Sequence, residues 1–214
     1  TGKTWMLLAD VERLYSSGAI EGVLVVAPKG VDSNWVFQEI PEHLSVPCVA
    51  RVFRSSGGVK AQRRVEEIFQ PREYGEVPPL RVLAMNYEAL TTTKGFELAR
   101  RFLLSVKSLM ALDESRRIKN HKSLRSKNVM KLRGLAAYRR IGTGTPIANA
   151  PVDIFNQMEF LKSGLLGTTS YRAFVAQYAD LVEEDSRLMK YIMDRTGKPH
   201  AKPQVIAKNE DGTP

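Results

Sequence analysis

Gly22-Val-Leu-Val-Val-Ala27, stopped by Pro28, is the most informative run in the chain. Six apolar or small residues in unbroken succession read as a strand buried on both faces, the pattern of an interior strand in a parallel sheet. Comparable runs recur downstream at residues 48–53, 80–85, 106–112 and 137–141. Apolar residues at helical spacing separate them, over 4–14, 33–44, 59–69, 95–104 and 122–134. Ser33 is the expected N-cap of the second of these helices, and Pro41 the point at which it ends early. Five strands alternating with helices predict an α/β domain, an open and mostly parallel sheet with helices on both faces. Beyond the turn Gly142-Thr-Gly-Thr-Pro146 the pattern stays helical to about Arg195, with breaks near 164–167 and 183–185. From Gly197 onward, Pro, Lys, Gly and Asp predict a loop or tail.

The chain has 214 residues, 43% hydrophobic and 26% charged, which suits one large domain, or one with an appendage, and excludes a disordered or fibrous chain. No apolar run approaches the roughly 18 residues of a membrane span, and no basic-then-apolar leader opens the sequence. Opening on Thr1 inside a motif, the chain reads as a piece of something longer. Its single cysteine, Cys48, excludes an internal disulfide or a multi-cysteine zinc site and fits a reducing compartment. Cys48 and Trp35 read as core residues, and His43, His121 and His200 offer no metal spacing. Lys and Arg number 32 against 23 Asp and Glu, a net charge of +9 that favours a polyanionic partner, nucleic acid or acidic membrane. Arg51, Arg54, Lys60, Arg63 and Arg64 gather around the loop at 55–58, as either a solvated basic face or a patch for a DNA backbone.

Three short strings carry possible chemistry. Gly2-Lys3-Thr4 opens a helix in the manner of a P-loop: free N–H groups cradle phosphate, the lysine reaches the terminal phosphates and the hydroxyl ligates magnesium. The tripeptide alone is weak, since ordinary residue usage produces it in about one chain of this length in ten. Asp113-Glu114 closes an apolar strand, which is where open α/β sheets place their ligands. The pair is either a solvated strand-end turn or a magnesium-holding Asp beside a Glu that deprotonates water. Gly142-Thr-Gly-Thr-Pro146, after the next strand, is either a tight turn or a nucleotide-sensing loop.

Five motifs occur in order: Thr1-Gly-Lys-Thr4; Val25-Val-Ala-Pro28 with Asn34-Trp35; Asn86-Tyr-Glu88; Asp113-Glu-Ser-Arg-Arg-Ile-Lys-Asn120; and Thr143-Gly-Thr-Pro-Ile-Ala-Asn149. Together they resemble motifs I, Ia, Ib, II and III of the first RecA-like lobe of superfamily-two helicases, most of all the Swi/Snf-type double-stranded DNA translocases. Arg117-Ile-Lys-Asn120 followed by Thr145-Pro-Ile-Ala-Asn149 marks that branch, and residues 151–182 are similar to the helical segment behind motif III. The resemblance covers nearly the whole chain. It implies a RecA-like ATP-binding lobe over 1–150, a helical extension over 151–196, and a loop or linker toward a second RecA-like lobe over 197–214.

By position, the resemblance implies that Thr1, Gly2, Lys3 and Thr4 bind the nucleotide, that Thr4 and Asp113 hold magnesium, and that Glu114 is the catalytic base. Lys3, Asp113 and Glu114 form the implied catalytic set. Thr143, Gly144 and Thr145 would couple hydrolysis to DNA movement. Pro28, Lys29, Asn86 and Tyr87 would lie on the DNA-tracking face and contact the phosphate backbone, not the bases. The implied cofactors are ATP and magnesium, and the implied partners are double-stranded DNA and the second lobe, with no membrane. A bacterial or phage protein working in the cytoplasm beside nucleoid DNA is expected from the short spacing between motifs. Arg116 and Ala148 depart from the His and Gln that the family often carries there, and both departures touch coupling. Without arginine fingers from a second lobe, this piece alone is expected to turn over little ATP. The alternatives are another superfamily-two motor, such as a restriction-system translocase or an RNA helicase, and a non-catalytic nucleic-acid-binding module that kept the fold.

Overall fold

A computed structural model describes residues 2–70, 78–147, 151–181 and 205–207. Thr1, Ala148 and Asn149 of the motifs, and the expected helical residues 182–195, lie outside these. Five strands, β1 (Gly22–Ala27), β2 (Cys48–Phe53), β3 (Leu80–Asn86), β4 (Ser108–Asp113) and β5 (Tyr138–Gly142), form a wholly parallel sheet in the order β2-β3-β1-β4-β5. All six β1 residues are buried, as expected of a central strand. Alternate side chains serve two cores. Leu24 and Val26 face one built with α4 (Val59–Glu66), α5 (Thr93–Ser105), α6 (Leu124–Leu132) and Phe160 of α7 (Phe155–Leu161). Val23, Val25 and Ala27 face the other, built with α1 (Lys3–Ser16) and the helical segment around Trp35. The period-two alternation of a strand thus explains why helices cover both faces.

The helix expected over 33–44 starts earlier and is not regular. Gly30, with φ 91°, precedes α2 (Val31–Asn34), so Ser33 lies inside the helix and does not cap it. A π-turn, Trp35–Glu39, follows, and then α3 (Ile40–His43). Pro41 widens this helix where early termination was expected: its missing N–H and its ring cannot fit a regular turn, and the Ile40 N–H bonds back to the Trp35 carbonyl instead. Cys48 is half-buried, on the edge strand β2, and burial still pushes its thiol up.

Two helices follow the sheet, α7 and α8 (Tyr171–Tyr178). Phe155, Phe174 and Val175 form a small core of their own. A helix was expected to run on through Ala179–Leu181, but these three residues form a strand. Ala179–Leu181 (β6) pairs antiparallel with Val205–Ala207 (β7), which also replaces part of the expected tail with a strand. Among the described residues no helix is long and apolar enough to cross a membrane.

Candidate active site

Parallel register brings the strand ends level. Ala27 lies opposite Asn86, Val26 opposite Leu112, and Asp113 opposite Gly142. The residues that follow β1, β3, β4 and β5 therefore emerge along one carboxyl edge, the edge that open α/β sheets use for ligands. Helix α1 starts at the same place. Gly2 caps it in the left-handed region at φ 72°, and neither a capping side chain nor an acidic residue occupies its first turn. Its free N–H groups and the positive end of its dipole remain available to an anion.

Lys3 and Glu114, 111 residues apart, meet here, with Lys3 Nζ donating to Glu114 Oε1 at 3.1 Å. The Thr143 hydroxyl donates to Glu114 Oε2 at 3.2 Å and accepts from the Thr145 backbone N–H at 3.2 Å. Arg116 stands 3.9 Å from the same Oε2. Partial burial pushes the Glu114 carboxyl up, but the Lys3 bond and charge, the Thr143 hydroxyl and Arg116 outweigh it and hold the group below its usual range. Glu114 is also the one non-glycine residue with positive φ among the described residues, at φ 50°, ψ 56°. That conformation costs about 1–2 kcal/mol and turns the chain sharply out of β4. Gly144 adjoins the same cluster: a Cβ there would lie 3.5 Å from Lys3 Nζ, an ordinary van der Waals contact.

Asp113 is held by two side chains that were expected in other roles, Trp35 as a core residue and Tyr87, by the resemblance, on the DNA face. Trp35 is buried as expected, and its indole N–H donates to Asp113 Oδ2 at 3.1 Å. Tyr87 was expected on the DNA face, but its ring is fully buried and its hydroxyl donates to the Asp113 carbonyl at 2.8 Å. No phosphate can reach it, and burial, then Asp113, pushes its phenol well above the usual value. Pro28 is likewise buried, its carbonyl taken by the Val31 and Asp32 N–H groups. Half-buried Asn86 spends its side-chain oxygen on the Ala89 N–H and its amide on Asp32. Lys29 alone of these four is open to solvent.

A cleft of about 410 Å³ lies over the cluster, lined by Lys3, Thr4, Trp35, Asp113, Arg140 and Thr143. The donor set suits a nucleotide triphosphate with magnesium: an ammonium and open helix N–H groups for phosphate, and a hydroxyl and a carboxylate for the metal. The described residues contain no cluster of three or more His, Cys, Asp or Glu able to hold a metal alone.

The chain matches the family model described as the SNF2-related domain over residues 1–205. It belongs to the SNF2-related family. Relatives of this SNF2-related chain include a putative SWI/SNF-related matrix-associated actin-dependent regulator of chromatin subfamily A member 3-like 1 of Arabidopsis thaliana. That protein is 30% identical over 69% of the chain. A probable ATP-dependent DNA helicase of the same plant is 30% identical over 75% of the chain. The chain spans only 15% and 13% of those relatives' lengths. The Sulfolobus solfataricus SWI2/SNF2 ATPase core, solved in complex with dsDNA, superposes with a TM-score of 0.60 at 24% identity. That match covers 83% of this SNF2-related chain and 32% of the solved one, and confirms the RecA-like fold.

Gln157 carried no signal in the sequence. It is fully buried on α7, accepts the Ser115 hydroxyl at 2.7 Å and donates to the Pro146 carbonyl at 2.6 Å. His121 stacks on Tyr171 with ring centroids 3.9 Å apart.

Proposed function

We propose that this chain is the ATP-binding lobe of a DNA-dependent ATPase that moves along double-stranded DNA. The observation that carries the reading is the Lys3–Glu114 contact of 3.1 Å at an uncapped helix start, with Asp113 adjacent on β4. Lys3, Thr4 and the first-turn N–H groups would hold the phosphates, and Thr4 and Asp113 the magnesium. When bound, magnesium neutralises charge on the transferring phosphoryl group. Glu114 would accept the proton of the attacking water. The Lys3 hydrogen bond and charge are the strongest influences lowering the Glu114 carboxyl, so a Glu114 released from Lys3 becomes the better proton acceptor. Thr143, bonded to Glu114, would report that change to the loop carrying Gly144 and Thr145.

The reading includes a division at about residue 150, with 151–196 an extension of the same lobe and 197–214 leading to a second RecA-like lobe. Duplex DNA would be held through its phosphates, Lys29 being one exposed cation at the carboxyl edge. Its place of work would be wherever such DNA lies, the nucleoid in a bacterial cell.

Hydrolysis of ATP by the full-length protein, with and without duplex DNA, tests the reading beside Glu114→Gln. Turnover stimulated by DNA should fall about 10²-fold or more in the variant, as expected for loss of a general base, while ATP binding persists. DNA binding without any turnover in the parent protein would replace the motor with a binding module.

A further inference from the structure

We infer that Gln157 is a positioning residue that makes the catalytic turn and the sensing loop move as one body, an inference that rests on the function proposed above. The bonds around it close a ring. Glu114 is joined by the chain to Ser115, whose hydroxyl donates to Gln157 Oε1 at 2.7 Å. Gln157 Nε2 donates to the Pro146 carbonyl at 2.6 Å and to the Asp153 carbonyl at 3.1 Å. Pro146 follows Thr145, whose N–H donates to Thr143 Oγ1 at 3.2 Å, and Thr143 donates back to Glu114 Oε2 at 3.2 Å. Two carbonyls face the same Gln157 atom, so that atom is the amide nitrogen and the oxygen faces Ser115; the reverse orientation would set oxygen against oxygen twice.

Gln157 is the one member of this ring outside the two loops, and it comes from α7 in the helical extension. Its neighbour Asn156 donates to the Ile118 carbonyl at 2.8 Å, and Asp153 pairs with Lys119 at 3.0 Å, so the extension grips the turn behind Glu114 at three points. Gln157 also reaches the loop after β5, through the Pro146 carbonyl. Ser115 and Gln157 are both fully buried, so losing either leaves the other's buried polar group without its hydrogen-bond partner. The ring therefore does two things. It holds Glu114 in its left-handed conformation from behind, and it ties any shift of the Thr143–Pro146 loop to the carboxylate. Gln157 touches no reacting atom and acts only through Ser115 and Pro146.

The test uses the full-length protein with DNA, comparing Gln157→Leu and Gln157→Glu with the parent across pH. Leucine removes both bonds, and kcat should fall about tenfold or more, the scale on which misplaced catalytic groups act, with KM for ATP within about twofold. Glutamate, when protonated, accepts from Ser115 and donates to Pro146; when ionised, it sets charge against two carbonyls. Its kcat relative to the parent should therefore recover as pH falls, while that of the leucine variant stays level. Equal loss in both variants at every pH, in step with lowered melting temperature, would make Gln157 a packing residue and overturn the inference. Parent-like kcat in both would overturn it too. A parent protein with no turnover would instead sink the ATPase reading, and this inference with it.

Discussion

Trp35 shows how a core residue acquires a task. Its ring packs in the core beneath the sheet, and its one polar atom reaches Asp113 Oδ2 at 3.1 Å. Replacement by phenylalanine keeps most of the packing and removes the donor, so stability should fall by only about 1 kcal/mol. Asp113 would then lose its fixed rotamer, and the magnesium concentration for half-maximal hydrolysis should rise about tenfold or more. An unchanged magnesium dependence would show that the indole bond does not serve Asp113 in the proposed magnesium site. Glu114 yields a prediction in pH. Its carboxyl is held below the usual range, so its contribution to stability is full above the unfolded value of about 4.3 and disappears as pH falls through the lower folded value. Stability of the parent minus that of Glu114→Gln should therefore shrink on acidification below about pH 4, by less than about 1 kcal/mol because the group is partly solvated. A difference that grows in acid would contradict the Lys3 pairing. Sequence carried Lys3, Asp113 and Glu114 because their type and spacing are chemical. It did not carry Tyr87 or Gln157, whose roles depend on which way a side chain faces after the sheet forms.

Strands were more legible than helices, for a physical reason. A strand buried on both faces must be apolar throughout, and β1 meets that demand at every position. The helical segment at 31–43 obeys local rules that Pro41 perturbs, and its start is set by Gly30 and not by the better capping residue Ser33. Similarly, β6 and β7 exist only because two short distant segments pair, a fact no local pattern contains. Helix α5 supplies a prediction about packing between elements. Its Gly95 lies against the turn at Ala89–Thr91, and a Cβ there would fall 2.2 Å from the Ala89 carbonyl oxygen. That neighbour is backbone, so Gly95→Ala must displace the helix start, at about 1–3 kcal/mol for overpacking. Chemical denaturation should show this loss of stability, with the KM for ATP unchanged because α5 lies away from the cleft. A neutral substitution would mean that the turn yields at no cost.

The whole domain combines a site assembled from remote segments with an excess of positive charge. Lys3, Trp35, Asp113, Thr143 and Gln157 come together only because five parallel strands end level and α7 folds back behind them. Charge acts differently: the net +9 is a property of the full chain and attracts any polyanion without choosing among sequences. Two groups of cations are candidates for the contact. Lys29 stands exposed at the carboxyl edge, while Arg51, Arg54, Lys60 and Arg64 line a groove of about 670 Å³ beside the edge strand β2. Arg51 is already committed there, to Glu67 at 2.6 Å. If binding runs through phosphates, the logarithm of the association constant for duplex DNA should fall linearly with the logarithm of salt concentration. Each phosphate contact that is lost should reduce that slope by about 1. Lys29→Ala should therefore lower the slope by about 1 and weaken unrelated DNA sequences equally, and Lys60→Ala should do the same only if the groove also tracks the backbone. A Lys29 variant with the parent slope, measured on two duplexes of different sequence, would move the DNA path off the carboxyl edge.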